Sequence, residues 1–209
     1  TFAANISSYL TGADITFGNL EGVFVSKNLS PVKCSEASRK AGRCYEFGMP
    51  AYLSKNLKEL SFNILSLDNN HVSDYGAGGY QYTQKLLDRL AIHYAAKKKH
   101  ARLKIQEKKI AVVAFGTSSD SYHVANVGEA QKVVSALKDS FDMVLVSFHG
   151  GAEGAKAQHI KDTVEYYYGE NRGNLIQFAH AVIDSGADLI IGHGPHVLRA
   201  MELYKNKLI

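Results

Sequence analysis

Cysteine is scarce in this chain of 209 residues: it occurs twice, as Cys34 and Cys44, within the polar stretch CSEASRKAGRC. That separation matches neither a Cys-x-x-Cys redox motif nor a zinc knot, and no second thiol pair exists to complete a thiolate site. Two states stay open at this point. One is a disulfide closing the loop, which would imply an oxidising compartment, and the other is a pair of free thiols. Long apolar runs are missing too. None approaches the roughly 18 residues that a membrane span needs, so no transmembrane segment is expected in this chain. Thr1 is not followed by a basic stretch leading into an apolar one, so any signal peptide or lipid anchor is expected to have been removed already. No internal repeat and no linker rich in Pro, Gly or Ser divides the sequence, which reads as a single domain over 1–209.

What is present belongs to a soluble globular chain: 45% hydrophobic and 21% charged residues leave enough apolar material for a core, unlike a disordered or fibrous sequence. The net charge of +4 has a local origin. The stretch AAKKKHARLKIQEKK, Ala95 to Lys109, carries Lys97, Lys98, Lys99, Arg102, Lys104, Lys108 and Lys109 against Glu107 alone. The plain explanation is a solvated helix end or loop. The functional one is a landing surface for a polyanion, because clustered charge concentrates opposite charge nearby. Nucleic acid is not expected as a partner, since no stacking aromatics or recognition motif accompany the lysines.

Five runs read as buried strands from their apolar, β-branched content and bounding turn residues: ADITFG (13–18), FNILSL (62–67), IAVVAFG (110–116), DMVLVSF (142–148) and ADLIIG (187–192). Helical patterns lie between them. NLIQFAHAVIDSG places Leu175, Phe178, Ala179, Val182 and Ile183 on one face, with Gly186 at the expected C-terminal cap. EAQKVVSALKDS, PAYLSKNLKEL and TQKLLDRLAIHY are similar. The alternation predicts an α/β fold. MELYKNKLI reads as two short strands joined by a turn at Lys205 and Asn206, and Thr1 to Leu10 as a helix, so an edge of the sheet is expected to be missing at each end.

In open α/β sheets, sites form beyond the carboxyl ends of strands. Here four of the five runs end in ligand-type side chains: Asn19 and Glu21 in GNLEG; Asp68, Asn69, Asn70, His71 and Asp74 in DNNHVSDYG; His149 and Glu153 in HGGAEG; His193 and His196 in GHGPH. Mixed His, Asn and carboxylate donors suit Zn²⁺, Mn²⁺ or Fe²⁺. Two such ions about 4 Å apart would polarise a phosphoryl oxygen and activate a water, and a nearby histidine could protonate the leaving oxygen. His93, His100, His123, His159 and His180 are expected to be structural, as are Asp14 and Asp188 at strand starts. Asp74 is expected to cap a helix or to hold His71.

The ordered series ADITFGNLEG, SLDNNHVSDYG, VLVSFHGGAEG and ADLIIGHGPHVLRAMELYKNKLI resembles the bacterial capsule synthesis family of poly-γ-glutamate biosynthesis proteins, over most of Ala13 to Ile209. The family is similar to calcineurin-like metallophosphatases. The resemblance implies a four-layer αββα sandwich, incomplete at both chain ends, with one or two divalent ions (Mn, Fe or Zn). It implies Glu21, Asn70, His149, His193 and His196 as metal ligands and His71 as general acid. Asn19, Asn69, Asp74 and Glu153 would contact substrate or support the ligands. It also implies an extracytoplasmic protein, membrane-anchored at full length, whose partners are an anionic capsule polymer or its precursor and membrane-bound synthase subunits. Three departures accompany it. The family's usual early Gly-Asp precedes this chain, Asp68 stands where a small residue is usual, and Gly150 stands where an aromatic is common. Two functions follow as expectations: a metal-dependent phosphoesterase-type hydrolase, or a non-catalytic accessory protein on the same fold.

Overall fold

A computed structural model describes residues 5–209; the first four residues of the helix expected over Thr1 to Leu10 lie outside them. The chain forms two compact units, Thr1–Tyr94 and Ala95–Ile209.

In the first unit, a short helix α1 (Ser7–Thr11) precedes strand β1 (Phe17–Asn19). Next come β2 (Val23–Val25), helix α2 (Glu36–Lys40), β3 (Gly48–Pro50), helix α3 (Lys55–Glu59), β4 (Ile64–Ser66), helix α4 (Gly76–Arg89) and β5 (His93–Ala95). The apolar run FNILSL supplies β4, all three of whose residues are buried, and β4 pairs in parallel with β1, Phe17 opposite Ile64. β2 and β3 form a second parallel pair. It is anchored to α4 where the Phe24 amide donates to Thr83 Oγ1 at 2.8 Å. Gly79, Thr83 and Leu87, four residues apart, make the buried stripe of α4. Two helix expectations are corrected. PAYLSKNLKEL splits into a 3₁₀ turn (Ala51–Ser54) followed by α3. TQKLLDRLAIHY stops being helical at Arg89, because Ala91 takes a positive φ of 53° and the His93 amide turns to the Asn63 carbonyl.

The second unit is built on one mixed sheet. Its elements are β6 (Ala101–Ile105), β7 (Lys108–Gly116), β8 (Tyr122–His123), α5 (Val127–Lys138), β9 (Met143–His149), β10 (Tyr166–Tyr167), β11 (Glu170–Asn171), α6 (Leu175–Asp184), β12 (Leu189–His193), β13 (Leu203–Tyr204) and β14 (Lys207–Leu208). The sheet order is β13-β14-β12-β9-β7-β6, with β8 beside β7. β7, β9 and β12 run parallel at its centre. α5 and α6 pack on one face around Phe178, which meets Phe115 and Phe148 edge-on at centroid distances of 5.1 and 5.5 Å. α6 buries the five residues expected of it. The turn at Lys205 and Asn206 also forms as expected, both residues having positive φ as a two-residue hairpin requires.

The basic stretch from Ala95 to Lys109 is not a helix end, and only part of it is loop: Lys97 and Lys98 form a turn closed by Ala96 and Lys99. It contains β6, an edge strand joined to β7 by a tight turn at Gln106 and Glu107, which both adopt positive φ. Ala101 and Leu103 are buried while Arg102 and Lys104 are exposed, a two-residue alternation that the density of lysines obscures in the sequence.

Candidate functional site

In the second unit, β9 and β12 are parallel neighbours in register, with His149 opposite His193 at their carboxyl ends. The register alone brings the two imidazoles together. Their Nδ1 atoms are 3.1 Å apart, and Ser147 Oγ lies 2.9 Å from His193 Nε2. One Nδ1 donates and the other accepts, so the pair shares a single hydrogen along that line. Burial pushes the His193 pKa down to about 4, which keeps its ring neutral at physiological pH. The adjoining loop is tied back by the Gly150 amide, which donates to the His193 carbonyl at 3.1 Å. A Cβ on Gly150 would stand 2.9 Å from the Arg172 carbonyl oxygen. The aromatic common in the family therefore has no room here, and glycine follows from the close approach of two backbones.

Glu153 and His196, from the loops after the same two strands, face each other with His196 Nε2 at 3.9 Å from Glu153 Oε2. His196 is half exposed and holds a positive φ of 58°. Glu153 also meets the guanidinium of buried Arg172 at 3.3 Å, and Glu170 meets it at 2.5 Å. Arg199 and Glu165 form a second buried pair, at 2.7 Å. Sequence reasoning missed both arginines. The available signal was an arginine inside a Gly/Asn loop, ENRGN, ahead of an apolar helix, since a buried arginine has to find carboxylates.

In the first unit, the loops after β1 and β4 interlock. Asn69 Nδ2 donates to Asn19 Oδ1 at 3.0 Å and to the Leu20 carbonyl at 2.9 Å, while Asn19 Nδ2 donates to Glu21 Oε2 at 3.2 Å. Asn69 Oδ1 accepts the His71 amide at 3.0 Å. His71 Nδ1 lies 2.6 Å from Asp74 Oδ2, which also accepts the Phe47 amide at 2.7 Å. Asp74 therefore orients His71. It does not cap α4, whose N-cap is Tyr75 without a side-chain bond. Asp68 is buried beside this loop. Two further participants were not expected. Phe47 stacks on the His71 ring at 3.8 Å, and Lys33 Nζ reaches Asp74 Oδ1 at 3.1 Å and the Asn70 carbonyl at 2.8 Å. Lys33 precedes Cys34, which is bonded to Cys44 in a disulfide. The Val32 and Lys33 amides also donate to the Asp74 carbonyl, at 2.8 and 3.3 Å, so the lysine reaches the histidine through contacts far apart in sequence that no local pattern could announce.

The donors suit a divalent ion in kind. His193 offers an uncharged imidazole beside that of His149, and Asn70 Oδ1 is buried without a hydrogen-bond partner among the described residues. No group of three or more His, Cys, Asp or Glu among the described residues is arranged to hold a metal.

All of residues 1–209 match the family described as Bacterial capsule synthesis protein PGA_cap. The chain belongs to that family. It is 28% identical over 222 residues to the PGA biosynthesis protein CapA of Bacillus subtilis (strain 168), covering 95% of this chain and 55% of that one. It is 26% identical over 219 residues to the capsule biosynthesis protein CapA of Bacillus anthracis, covering 98% and 50%. The chain thus spans about half the length of the curated relatives it matches. Among solved structures it resembles a provisionally assigned 5'-nucleotidase from Staphylococcus aureus in complex with alpha-ketoglutarate. That match has a TM-score of 0.52 and 14% identity, covering 92% of this chain and 47% of that one. It also resembles a hypothetical protein from Thermus thermophilus, with a TM-score of 0.53 and 14% identity over 97% and 66%. At such identities the likeness concerns the fold: this PGA_cap chain has the α/β fold with mixed sheets, similar to the 5'-nucleotidase and metallophosphatase fold, that its motifs imply. No helix among the described residues is long and apolar enough to cross a membrane. The Cys34–Cys44 disulfide is of the kind that an extracytoplasmic, oxidising compartment sustains.

Proposed function

We propose that this PGA_cap chain is a metal-dependent, phosphoesterase-type hydrolase acting on an anionic capsule polymer or its precursor. Its setting in this proposal is extracytoplasmic, anchored to the membrane at full length and working beside membrane-bound synthase subunits. The observation that carries the reading is the His149–His193 pair at the carboxyl ends of adjacent parallel strands, with the His193 ring kept neutral by burial. Buried imidazoles kept uncharged are ready to bind a cation, whereas charged ones would repel it.

In this reading the ligands for one or two ions of Mn, Fe or Zn are His149, His193 and His196 of the second unit and Glu21 and Asn70 of the first. The bound ion supplies Lewis acidity and a water of lowered pKa. The chain's own groups do the rest. Asp74 keeps His71 turned by its Nδ1, leaving Nε2 to carry the proton for the leaving oxygen. Asn69 fixes the Asn19–Glu21 carboxamide and carboxylate. Glu153 takes its orientation from Arg172. One observation favours a second reading, that of a non-catalytic accessory protein: Lys33 Nζ lies 3.1 Å from Asp74 Oδ1 and 3.4 Å from His71 Nδ1, so the carboxylate that orients His71 is also engaged by a fixed cation.

Elemental analysis and aryl-phosphate hydrolysis decide between them. The hydrolase should hold one or two transition-metal ions, with the content falling in His193→Ala. His71→Ala should keep the metal and lose about 10²–10⁴-fold in rate. Metal near zero in the wild type, or equal rates in wild type and His71→Ala, would establish the accessory reading instead.

A further inference from the structure

The Lys/Arg stretch of the sequence has a structure that the hydrolase reading does not use. β6 ends the strand order of the seven-stranded sheet, and residues of β6 and α5 line one trough. The trough between them encloses about 920 Å³. Its rim carries Arg102, Lys104, Lys109 and Lys132, and no carboxylate is among the side chains that line it. Val133 and Leu137 belong to its apolar floor.

Two features separate this trough from an ordinary solvated edge. Arg102 opposes Ala111 and Lys104 opposes Lys109 across the β6–β7 ladder, so these cations share one face of the hairpin. A like-charged pair placed directly opposite is unfavourable. Lys104 is relieved by Glu107 in the turn, at 2.7 Å, a contact available to a different ligand carboxylate. In addition, the Arg102 guanidinium is held rather than free. It lies 5.9 Å from the Phe141 ring centroid and its Nε donates to His100 Nε2 at 3.0 Å, while the residue stays exposed.

We propose that this trough binds the polyglutamate chain itself, as an anchoring site separate from the His149–His193 pair. The proposal rests on the capsule-polymer reading of the family for its ligand. A carboxylate polymer fits on two counts. Its charges match four cations that line the trough with no carboxylate among the lining side chains, and its methylene groups match the apolar floor. Nucleic acid fits less well, because the Phe141 ring is already occupied by Arg102 and His100 and offers no stacking platform.

The location adds a mechanical point. Lys109 lies at the amino end of β7, where its carbonyl accepts the Asp142 amide just before β9 begins, whereas His149 ends β9. Seven strand residues at about 3.3 Å each put the two places roughly 20 Å apart. A single residue of the polymer cannot span that distance, but a chain can. Anchoring would then raise the effective concentration of the polymer near the unit's own histidines.

The test is fluorescence anisotropy with fluorescein-labelled poly-γ-glutamate. The wild type should bind, and the affinity should fall with added salt. Arg102→Glu/Lys132→Glu should lose about tenfold or more in affinity. Lys58→Glu/Lys85→Glu, of the same charge change at two lysines that do not line the trough, should stay within about twofold. Lys104→Gln/Lys109→Gln removes an unfavourable pair and serves if the reversal variant fails to fold. Equal loss in the two charge-reversal variants would overturn the proposal, as would displacement of the polymer by single-stranded DNA of equal charge at equal concentration. Metal content and aryl-phosphate hydrolysis, read on the same proteins, should be unchanged, so failure of the anchoring site is distinguishable from failure of the hydrolase reading.

Discussion

Asp188 stands just before the strand that delivers His193, and it shows how a single carboxylate can organise a sheet. It accepts the Val144 amide at 2.9 Å and meets Lys138 at 2.9 Å and Lys207 at 2.7 Å. Burial pushes its pKa up, but Lys207, Lys138 and the Val144 N–H outweigh that effect and hold it below the usual carboxylate value. A carboxylate with a lowered folded pKa contributes stability above its unfolded value, near 4, and loses it as pH falls through the folded one. Asp188→Asn should therefore cost about 1–2 kcal/mol at pH 7. The gap should close as urea denaturation of both proteins is repeated at decreasing pH below about 4. A gap that stays constant with pH would refute the role. The expectation that Asp188 is structural was silent about its partners, since Lys138 and Lys207 come from elements that meet it only in the folded sheet.

Among the elements, those legible in advance were the ones with a strong apolar signature. β4, β7, β9 and β12 follow their Val/Ile/Leu runs, and α6 follows its stripe from Leu175 to Ile183. β6 was hidden because an edge strand buries one face only, and here its other face is Arg102 and Lys104. Strands of two residues, such as β10 and β11, are too short to have any period at all. The same division holds for chemistry. His149 and His193 are readable as strand-end residues, whereas Arg172 and Lys33 become partners through distant loops. α6 also allows a direct test of local design: Asn174 Oδ1 accepts the Gln177 amide at 3.1 Å as an N-terminal cap. Asn174→Ala should lower stability by about 1 kcal/mol, measured as a shift in denaturation midpoint with an unchanged slope. No shift would mean that solvent replaces the cap without loss.

For the molecule as a whole, the disulfide matters beyond the loop it closes. Cys34 and Cys44 are ten residues apart, and a link of that length should contribute about 2–3 kcal/mol by restricting the unfolded chain. Thermal unfolding of Cys34→Ser/Cys44→Ser should show the corresponding loss, and a midpoint equal to wild type would remove the link from the account of stability. Lys33 adjoins this clip, and Glu46 grips the clip from the other side through the Cys34 amide at 2.8 Å and Arg39 at 2.9 Å. Opening the thiols would remove one of the restraints on Lys33, leaving the Val32 and Lys33 amides on the Asp74 carbonyl to hold its ammonium group against the carboxylate. Protein folded in a reducing cytosol and the same sequence folded after export would then differ in how firmly the loop beside His71 is held, so the history of a preparation would be written into the order of that loop.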